Sequence, residues 1–132
     1  MKDTDDCPVL VVDDDLDIRE SLADLLQEQG HATVTAANGV QALRTLEAGT
    51  RPCLILLDLM MPVMDGASFR AEQLKNEKIA DIPVVLISAF RQLEETGEAL
   101  GAAGVLKKPI ELPALFDDVR RFCRSAGPGP GE

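Results

Sequence analysis

The sequence contains no tryptophan or tyrosine, and among its 132 residues there are only one histidine and three cysteines. The single histidine, His31, cannot form a histidine-rich metal site, and we expect it to lie at the surface because nothing beside it suggests a chemical role. Cys7, Cys53 and Cys123 lack the spacing of a metal site, and their odd number does not suggest a disulfide framework. We therefore expect reduced thiols, as in a cytosolic protein.

Cations are scarce as well: 13 Lys and Arg stand against 23 Asp and Glu, for a formal net charge of −10. Nucleic acid binding needs clustered cations against phosphates. No apolar run approaches the roughly 20 residues of a membrane-crossing helix. The short acidic start, residues 1–8, is unlike a secretory signal. These absences predict a cytoplasmic protein with no direct nucleic acid partner and no membrane partner, which binds cations or other proteins.

What the sequence does contain is a series of short apolar runs separated by amphipathic stretches. The runs are Val9–Val12, Thr33–Ala36, Cys53–Leu57, Val84–Ile87 and Gly104–Leu106. Most lack polar alternation, which is typical of strands buried on both faces of a parallel sheet. Apolar residues at helical spacing between and after the runs predict five helices. This alternation predicts an α/β fold with a doubly wound, five-stranded parallel sheet.

The length of the chain predicts a single domain. We expect an acidic tail at residues 1–7 and a folded domain over residues 8–124. Residues 125–132 are rich in Gly and Pro and have no apolar stripe. They are interpreted as a flexible tail or the start of a linker.

Polar side chains follow four of the five predicted strands. In chain order they are Asp13 and Asp14, then Asp58, then Ser88, then Lys107 and Lys108. Ligands of open α/β sheets bind beyond the carboxyl ends of the strands, so we expect these side chains at one edge. Crowded carboxylates need a cation, and Mg²⁺ prefers carboxylate, water and phosphate oxygens. Together with a hydroxyl and a lysine, they predict a site for phosphoryl chemistry.

Four motifs at these strand ends resemble the receiver domain of two-component response regulators, the CheY-like domain. They are VLVVDDD (Val9–Asp15), LILLDLMMPVMDG (Leu54–Gly66), VVLISA (Val84–Ala89) and GAAGVLKKP (Gly101–Pro109). The resemblance covers residues 8–124 and implies a flavodoxin-like sheet with strand order 2-1-3-4-5. It also implies phosphorylation by a sensor histidine kinase.

The resemblance implies that Asp58 is the phosphoacceptor and that the domain binds Mg²⁺. The implied metal ligands are Asp13, Asp14, Asp58 and the backbone carbonyl of Met60. Such a domain is not a conventional enzyme, because it promotes only its own phosphorylation and autodephosphorylation.

The resemblance also implies which groups contact the phosphoryl group and which respond to it. The implied phosphate-binding residues are Ser88, Ala89 and Lys108, the lysine that precedes Pro109. The Lys108–Pro109 peptide bond is expected to be cis, an isomer that is common only before proline. Receivers often carry Tyr or Phe in the fifth strand, where this chain has Val105. The expected switch residues are therefore Ser88, Phe90 and Val105.

Several kinds of partner follow from the resemblance. The phosphoryl donor would be a sensor histidine kinase or a phosphotransfer protein. The phosphorylated state would act on a downstream effector domain or protein. A homodimer could form through the face of the fourth helix, fifth strand and fifth helix.

Three alternatives share parts of this pattern. In a small phosphatase of the haloacid dehalogenase type Asp13 would be the nucleophile, but Asp17 stands where Thr or Val is usual and the chain is short for that fold. A phosphorylation-independent pseudo-receiver would be a binding module, but such modules typically lose residues that this chain keeps. A flavin-binding flavodoxin-like domain would have to hold an anionic phosphate against three carboxylates.

Overall fold

A computed structural model describes residues 7–89 and 91–123. Five strands alternate with five helices along the chain. The strands are β1 (Val9–Val12), β2 (Thr33–Ala36), β3 (Leu54–Asp58), β4 (Val84–Ser88) and β5 (Gly104–Lys107). The helices are α1 (Leu16–Glu28), α2 (Gly39–Glu47), α3 (Gly66–Leu74), α4 (Leu93–Leu100) and α5 (Leu112–Phe122). The two predicted tails, apart from Cys7, lie outside the described residues, and so does Phe90.

The strands form one parallel sheet in the order β2-β1-β3-β4-β5. Both the doubly wound architecture and the strand order are confirmed. Every residue of β1, β3 and β4 is buried, as their continuous apolar sequences predict. Helices α1 and α5 cover one face, where Leu26 and Leu115 are buried, and α2, α3 and α4 cover the other, where Phe69 is buried.

Three strands extend one residue beyond the apolar runs that predict them. Their last residues are Asp58 in β3, Ser88 in β4 and Lys107 in β5. Ladder hydrogen bonds in a parallel sheet continue regardless of side-chain polarity, so a polar residue can close a buried strand. The polar side chains at these positions are therefore held by the sheet itself rather than by loops.

Helix ends follow local sequence signals. Asp15, Asn38 and Asp65 are the N-caps of α1, α2 and α3, and their side chains accept hydrogen bonds from backbone N–H groups of the first turn. Gly30 follows α1 with a φ of 90°, and Gly101 ends α4 with a φ of 69°. Positive φ is readily adopted by glycine, which explains why these helices end where they do.

The predicted surface position of His31 is wrong. Its side chain is only 5% exposed, because its N–H donates to the carbonyl of Leu26 and draws the residue back against α1. Burial lowers the pKa of His31, and the positive charge of Arg120 on α5 lowers it further. Its Nδ1 atom has no hydrogen-bond partner among the described residues.

The expectation of reduced cysteines is also wrong for two of the three. Cys53 and Cys123 form a disulfide, and their Cα atoms are 5.5 Å apart across 70 residues of sequence. The C-terminus of α5 reaches the start of β3, an approach that sequence spacing does not reveal. Cys7 is a free thiol.

A buried polar network joins α3 to the end of α4. The guanidinium of Arg70 donates to the carbonyls of Leu100 and Gly101, at 2.9 and 3.0 Å, and to Gln73 Oε1 at 2.7 Å. The amide of Gln73 in turn donates to two carbonyls in the connection between α3 and β4. Because each buried polar group has a partner, the network fixes α3, α4 and this connection relative to one another.

Within the described ranges, no helix is long and apolar enough to span a bilayer.

Candidate functional site

A cleft of about 410 Å³ lies at the carboxyl ends of the strands. Side chains at the carboxyl ends of β1, β3, β4 and β5 reach it, but Lys107 is exposed and is not among its lining residues. Its lining residues are Asp13, Asp14, Asp15, Ile18, Asp58, Met60, Ser88, Ala89 and Lys108. The structure therefore brings together every residue that the sequence predicted for metal or phosphate binding.

Three carboxylates converge in the cleft. One oxygen from each of Asp13, Asp14 and Asp58 lies within 4.8 Å of the others. Asp13 and Asp58 are only 1% and 4% exposed, whereas Asp14 is open to solvent. Anionic groups this close repel one another, and burial prevents water from screening two of them. The arrangement favours binding of a cation.

Lys108 supplies positive charge inside the cleft. Its Nζ lies 3.3 Å from Asp13 Oδ2 and 3.7 Å from Asp58 Oδ2. The ammonium group therefore faces both buried carboxylates at once. One positive group against three ionised carboxylates leaves a net charge of 1 − 3 = −2, so the lysine alone does not neutralise the cleft.

The pKa of Asp58 is raised to about 6. Burial is the largest cause, and the neighbouring charges of Asp13 and Asp14 act in the same direction. Two groups partly offset this rise in the pKa of Asp58. They are the backbone N–H of Met60, which donates to Asp58 Oδ1 at 3.2 Å, and the ammonium of Lys108. Asp58 is therefore the carboxylate whose charge this environment opposes, which makes it sensitive to a cation or an incoming electrophile.

Backbone contacts fix the position of Asp13. Its Oδ1 accepts a hydrogen bond from the N–H of Asp15 at 2.9 Å, and its carbonyl oxygen accepts one from Arg19 Nη1 at 2.8 Å. Sequence reasoning missed Arg19, because this contact depends on the turn between β1 and α1. Asp15 is chiefly a helix cap, since its own side chain accepts from the N–H groups of Asp17 and Ile18.

The remaining predicted site residues line the side of the cleft near β4 and β5. Ser88 is buried, and its carbonyl accepts a hydrogen bond from the N–H of Lys108 at 3.0 Å. Ala89 and Met60 are exposed at the mouth of the cleft. The Lys108–Pro109 bond is cis, the isomer that the resemblance implies.

The loop after β3 approaches the site closely at Gly66. A Cβ atom on this residue would lie 2.9 Å from the carbonyl oxygen of Asp58 and from the Cα of Leu59. The N–H of Gly66 donates to the carbonyl of Leu59 at 2.9 Å. The start of α3 therefore packs directly on the backbone that carries Asp58.

Val105, the predicted switch residue of β5, packs against α4. A Cβ atom on Gly97 would lie 2.6 Å from Val105 Cγ1, so the helix lies close to the strand. Val105 is partly buried, on the face of the sheet covered by α2, α3 and α4. Phe90, the other apolar residue predicted to switch, is not among the described residues.

Residues 9–120 match the model of the family described as "Response regulator receiver domain". This range includes all four motifs and every residue of the acidic cleft. The chain belongs to this family. The receiver domain accounts for both the strand order and the polar residues at the carboxyl edge of the sheet.

Relatives of this receiver domain include both short and longer proteins. It is 36% identical over 118 residues to sporulation initiation phosphotransferase F of Bacillus subtilis, covering 86% of this chain and 91% of that protein. It is 37% identical over 125 residues to response regulator MprA of Mycobacterium sp. (strain KMS), covering 93% of this chain and 53% of that one. The chain thus spans about half the length of MprA and of several other curated relatives.

Solved structures of similar fold are also receivers or response regulators. Chemotaxis protein CheY4 of Vibrio cholerae is 30% identical, with a TM-score of 0.79 over 88% of this chain and 98% of that one. Response regulator TrrA of Thermotoga maritima, solved in complex with Mg²⁺ and BeF, is 31% identical, with a TM-score of 0.77 over 87% of this chain and 97% of that one.

Proposed function

We propose that this receiver domain accepts a phosphoryl group on the carboxylate of Asp58 from a phosphohistidine of a sensor kinase or phosphotransfer protein. The observation that carries the proposal is the convergence of Asp13, Asp14 and Lys108 on the buried Asp58. A nucleophilic carboxylate, further carboxylates to hold a metal and a lysine to neutralise phosphoryl oxygens are the parts that phosphoryl transfer requires.

In the proposed reaction a carboxylate oxygen of Asp58 forms a bond to phosphorus while the bond between phosphorus and the histidine nitrogen breaks. Lys108 lies within 3.7 Å of Asp58 and neutralises charge on the transferring group. The hydroxyl of Ser88 and the backbone N–H of Ala89 would donate hydrogen bonds to phosphoryl oxygens. Hydrolysis of the resulting acyl phosphate by water ends the signal, so the domain acts as a phosphoacceptor that reverses its own modification rather than as a conventional enzyme.

The donor set fits Mg²⁺. Carboxylates of Asp13, Asp14 and Asp58, with the backbone carbonyl of Met60, would hold the ion, and all are hard oxygen donors. Burial first, and then the charges of Asp13 and Asp14, raise the pKa of Asp58, so its ionised form is unfavourable in the cleft without a cation. When bound, Mg²⁺ supplies positive charge that favours the ionised carboxylate during transfer. The Mg²⁺ complex of the similar protein TrrA supports the assignment.

Phosphorylation by a small donor tests the proposal. Purified protein is incubated with acetyl phosphate and Mg²⁺, and intact mass is measured with Asp81→Asn as a matched control at an exposed loop position. We expect one acid-stable, base-labile phosphoryl group on the wild type and on Asp81→Asn, and none on Asp58→Asn. Labelling of Asp58→Asn at the wild-type level would contradict the proposal, and so would no labelling of the wild type.

We further propose that the phosphodonor protein docks in an apolar groove beside the cleft. The groove has a volume of about 600 Å³ and lies between α1 and the start of α5, where Ile18, Leu22, Leu25, Ile110 and Leu112 line it. It shares Ile18, Ala89 and Lys108 with the acidic cleft. A helix seated here would present its histidine to Asp58.

A pair of matched substitutions tests the groove. Ser21 lines it on α1, whereas Ser68 is exposed on α3 outside it. We expect Ser21→Glu to slow transfer from a phosphorylated histidine phosphotransfer protein and Ser68→Glu to leave it unchanged. Both variants should react with acetyl phosphate at the wild-type rate, because that donor needs no docking surface. Equal transfer rates to both variants would exclude the groove as the docking site.

The proposed output surface is the face formed by α4, β5 and α5, which would engage an effector or a second copy of the domain. Phosphorylation would act there by stabilising one of two arrangements of α4 and β5.

The proposed setting of the protein is the cytoplasm, and residues 8–124 are the proposed extent of the domain.

Beryllofluoride, a phosphoryl mimic, tests the output surface. In the presence of Mg²⁺ it should change amide exchange on the face formed by α4, β5 and α5. A phosphorylation-independent binding module would show no such response.

A further inference from the structure

All three cysteines lie at the amino ends of the strands, opposite the acidic cleft. Cys7 is two residues before β1, Cys53 immediately precedes β3, and Cys123 follows the last residue of α5. None of them has a role in the phosphoryl chemistry proposed above. Their convergence from three distant parts of the chain therefore needs its own explanation.

The backbone of Cys7 contacts the disulfide between Cys53 and Cys123. Cys53 Sγ lies 3.3 Å from the carbonyl oxygen of Cys7 and 3.6 Å from that of Pro8. The N–H of Cys53 donates to the Pro8 carbonyl at 3.0 Å, so the pairing of β1 with β3 continues to this point. The two sulfur-bearing segments are therefore held side by side by the sheet.

The disulfide lies on the face of the sheet covered by α1 and α5, because Cys53 and Cys123 belong to the apolar cluster that also contains Val9. The carbonyl oxygen of Cys7 lies 3.3 Å from Cys53 Sγ, so the backbone that carries the Cys7 thiol already contacts the disulfide. Cys7 and Cys53 are each partly exposed, whereas Cys123 is only 5% exposed. The residue that carries the attacking thiol and the residue that it would attack are therefore both partly open to solvent.

We propose that these three residues form a thiol–disulfide exchange site, in which Cys7 and Cys123 compete for Cys53. Cys7 loses its proton to solvent, and the thiolate attacks Cys53 Sγ. A bond forms between the sulfurs of Cys7 and Cys53, the bond between those of Cys53 and Cys123 breaks, and the Cys123 thiolate takes up a proton. Exchange is internal, so no electrons are gained or lost.

The two products differ in what they attach to the sheet. With Cys53 bound to Cys123, the C-terminus of α5 is covalently fixed to the start of β3. With Cys53 bound to Cys7, the segment before β1 is fixed instead and α5 is released. A dithiol reductant, which supplies two electrons and two protons, would release both. The reduced Cys53 thiol then has the carbonyls of Cys7 and Pro8 as acceptors, so both redox states are accommodated. Disulfides in reducing compartments are usually transient and redox-sensing, which fits an exchangeable bond.

Peptide mapping of the full chain tests the exchange. Trypsin cleaves after Arg19, Arg44 and Arg121, which places each cysteine in a different peptide. Protein oxidised with diamide is held at mildly alkaline pH, quenched in acid, alkylated with N-ethylmaleimide and digested without reductant. We expect two linked pairs in the wild type, Cys53 with Cys123 and Cys7 with Cys53, in a ratio that reaches a constant value.

Single substitutions separate exchange from unrelated oxidation. Cys7→Ser should give only the Cys53–Cys123 pair, and Cys123→Ser should give only the Cys7–Cys53 pair within one chain. The proposal would be overturned if Cys7 were alkylated at all times in the wild type. It would also be overturned if both thiols of oxidised Cys123→Ser were alkylated, or if linked pairs formed only between chains. Circular dichroism of both variants verifies that they fold.

The exchange site does not depend on the proposed function of the acidic cleft. Mapping is therefore repeated with Asp58→Asn, where the same two pairs are expected. Loss of exchange in this variant alone would contradict an independent site at the opposite end of the sheet. Labelling of Asp58 by acetyl phosphate is a separate result, so failure of one proposal is distinguishable from failure of the other.

Discussion

Burial and the charge of Asp13 raise the pKa of Asp58 to about 6, well above the 3.8 of an ordinary aspartate. In the absence of metal, the folded state therefore binds a proton at Asp58 more tightly than the unfolded chain does. Because the folded pKa is the higher one, the contribution of Asp58 to the free energy of unfolding falls as the pH rises from about 4 to above 6. Mg²⁺ should oppose this loss by favouring the ionised carboxylate.

Asp58→Asn should remove this pH-dependent destabilisation. Well above pH 6 and without metal, we expect its free energy of unfolding to exceed that of the wild type by about 2 kcal/mol. The full shift corresponds to about 3 kcal/mol, and relaxation of the cleft around the ionised carboxylate reduces it. Near pH 4 the difference should vanish. Urea titrations in EDTA at the two pH values measure it, and an equal difference at both would refute the explanation.

Besides aspartate at position 58, the site requires glycine at position 66. A Cβ atom there would meet backbone atoms of Asp58 and Leu59 at 2.9 Å, and backbone cannot move aside as a flexible side chain can. We expect Gly66→Ala to lower the free energy of unfolding by about 1–3 kcal/mol and to slow phosphorylation by acetyl phosphate.

Gly104→Ala is the matched control for Gly66→Ala. Its Cβ atom would make ordinary contacts of 3.7 Å with Asp118 and Val85. Stability should be unchanged or slightly higher, because alanine restricts the unfolded chain more than glycine does. If both alanines had the same effect on urea unfolding, the close approach at Gly66 would not be the cause.

Among the secondary structure elements, α3 and α4 are joined by the Arg70 and Gln73 network. Arg70→Met keeps most of the volume but leaves the carbonyls of Leu100 and Gly101 without their donor. We expect a loss of about 2–4 kcal/mol in the free energy of unfolding, since buried groups lose charge-assisted hydrogen bonds. Arg44→Met on the exposed face of α2 should cost much less, and equal losses in urea titrations would count against a role for the network.

Strands and helices could be predicted from the sequence because their signals are local. The apolar runs locate all five strands to within one residue at each end, and Asp15 marks the start of α1 as its cap. Arg70 was missed because its partners lie 30 and 31 residues away, on another helix. A basic residue in an amphipathic helix is usually solvated, so nothing local distinguishes this one.

Across the whole molecule, the acidic cleft was predictable for a different reason. Parallel strands deliver their carboxyl ends to one edge, so Asp13, Asp58 and Lys108 had to meet once the sheet was recognised. No such rule governs the amino ends. The disulfide of Cys53 with Cys123 and the burial of His31 depend on where helix termini come to rest, and both predictions were wrong.

The two edges of the sheet should act independently on stability. Perturbations at distant sites that share no partners add to within about 0.5 kcal/mol. We expect the gain in unfolding free energy from saturating Mg²⁺ to be the same, within that margin, in oxidised protein and in protein reduced with dithiothreitol. Urea titrations under the four conditions measure it. A larger difference would mean that release of α5 changes the stabilisation of the acidic cleft by Mg²⁺.

The contact between Gly97 and Val105 has a consequence for how a signal could leave this molecule. Val105 has no aromatic ring that could turn between an outward and an inward orientation, and its branched side chain has few χ1 rotamers. Because Gly97 has no Cβ atom, the backbone of α4 packs closely against Val105 Cγ1 of β5. If the proposed switch begins at Ser88, it would reach the surface through movement of α4 against β5, and Gly97 would be the point of closest contact between them.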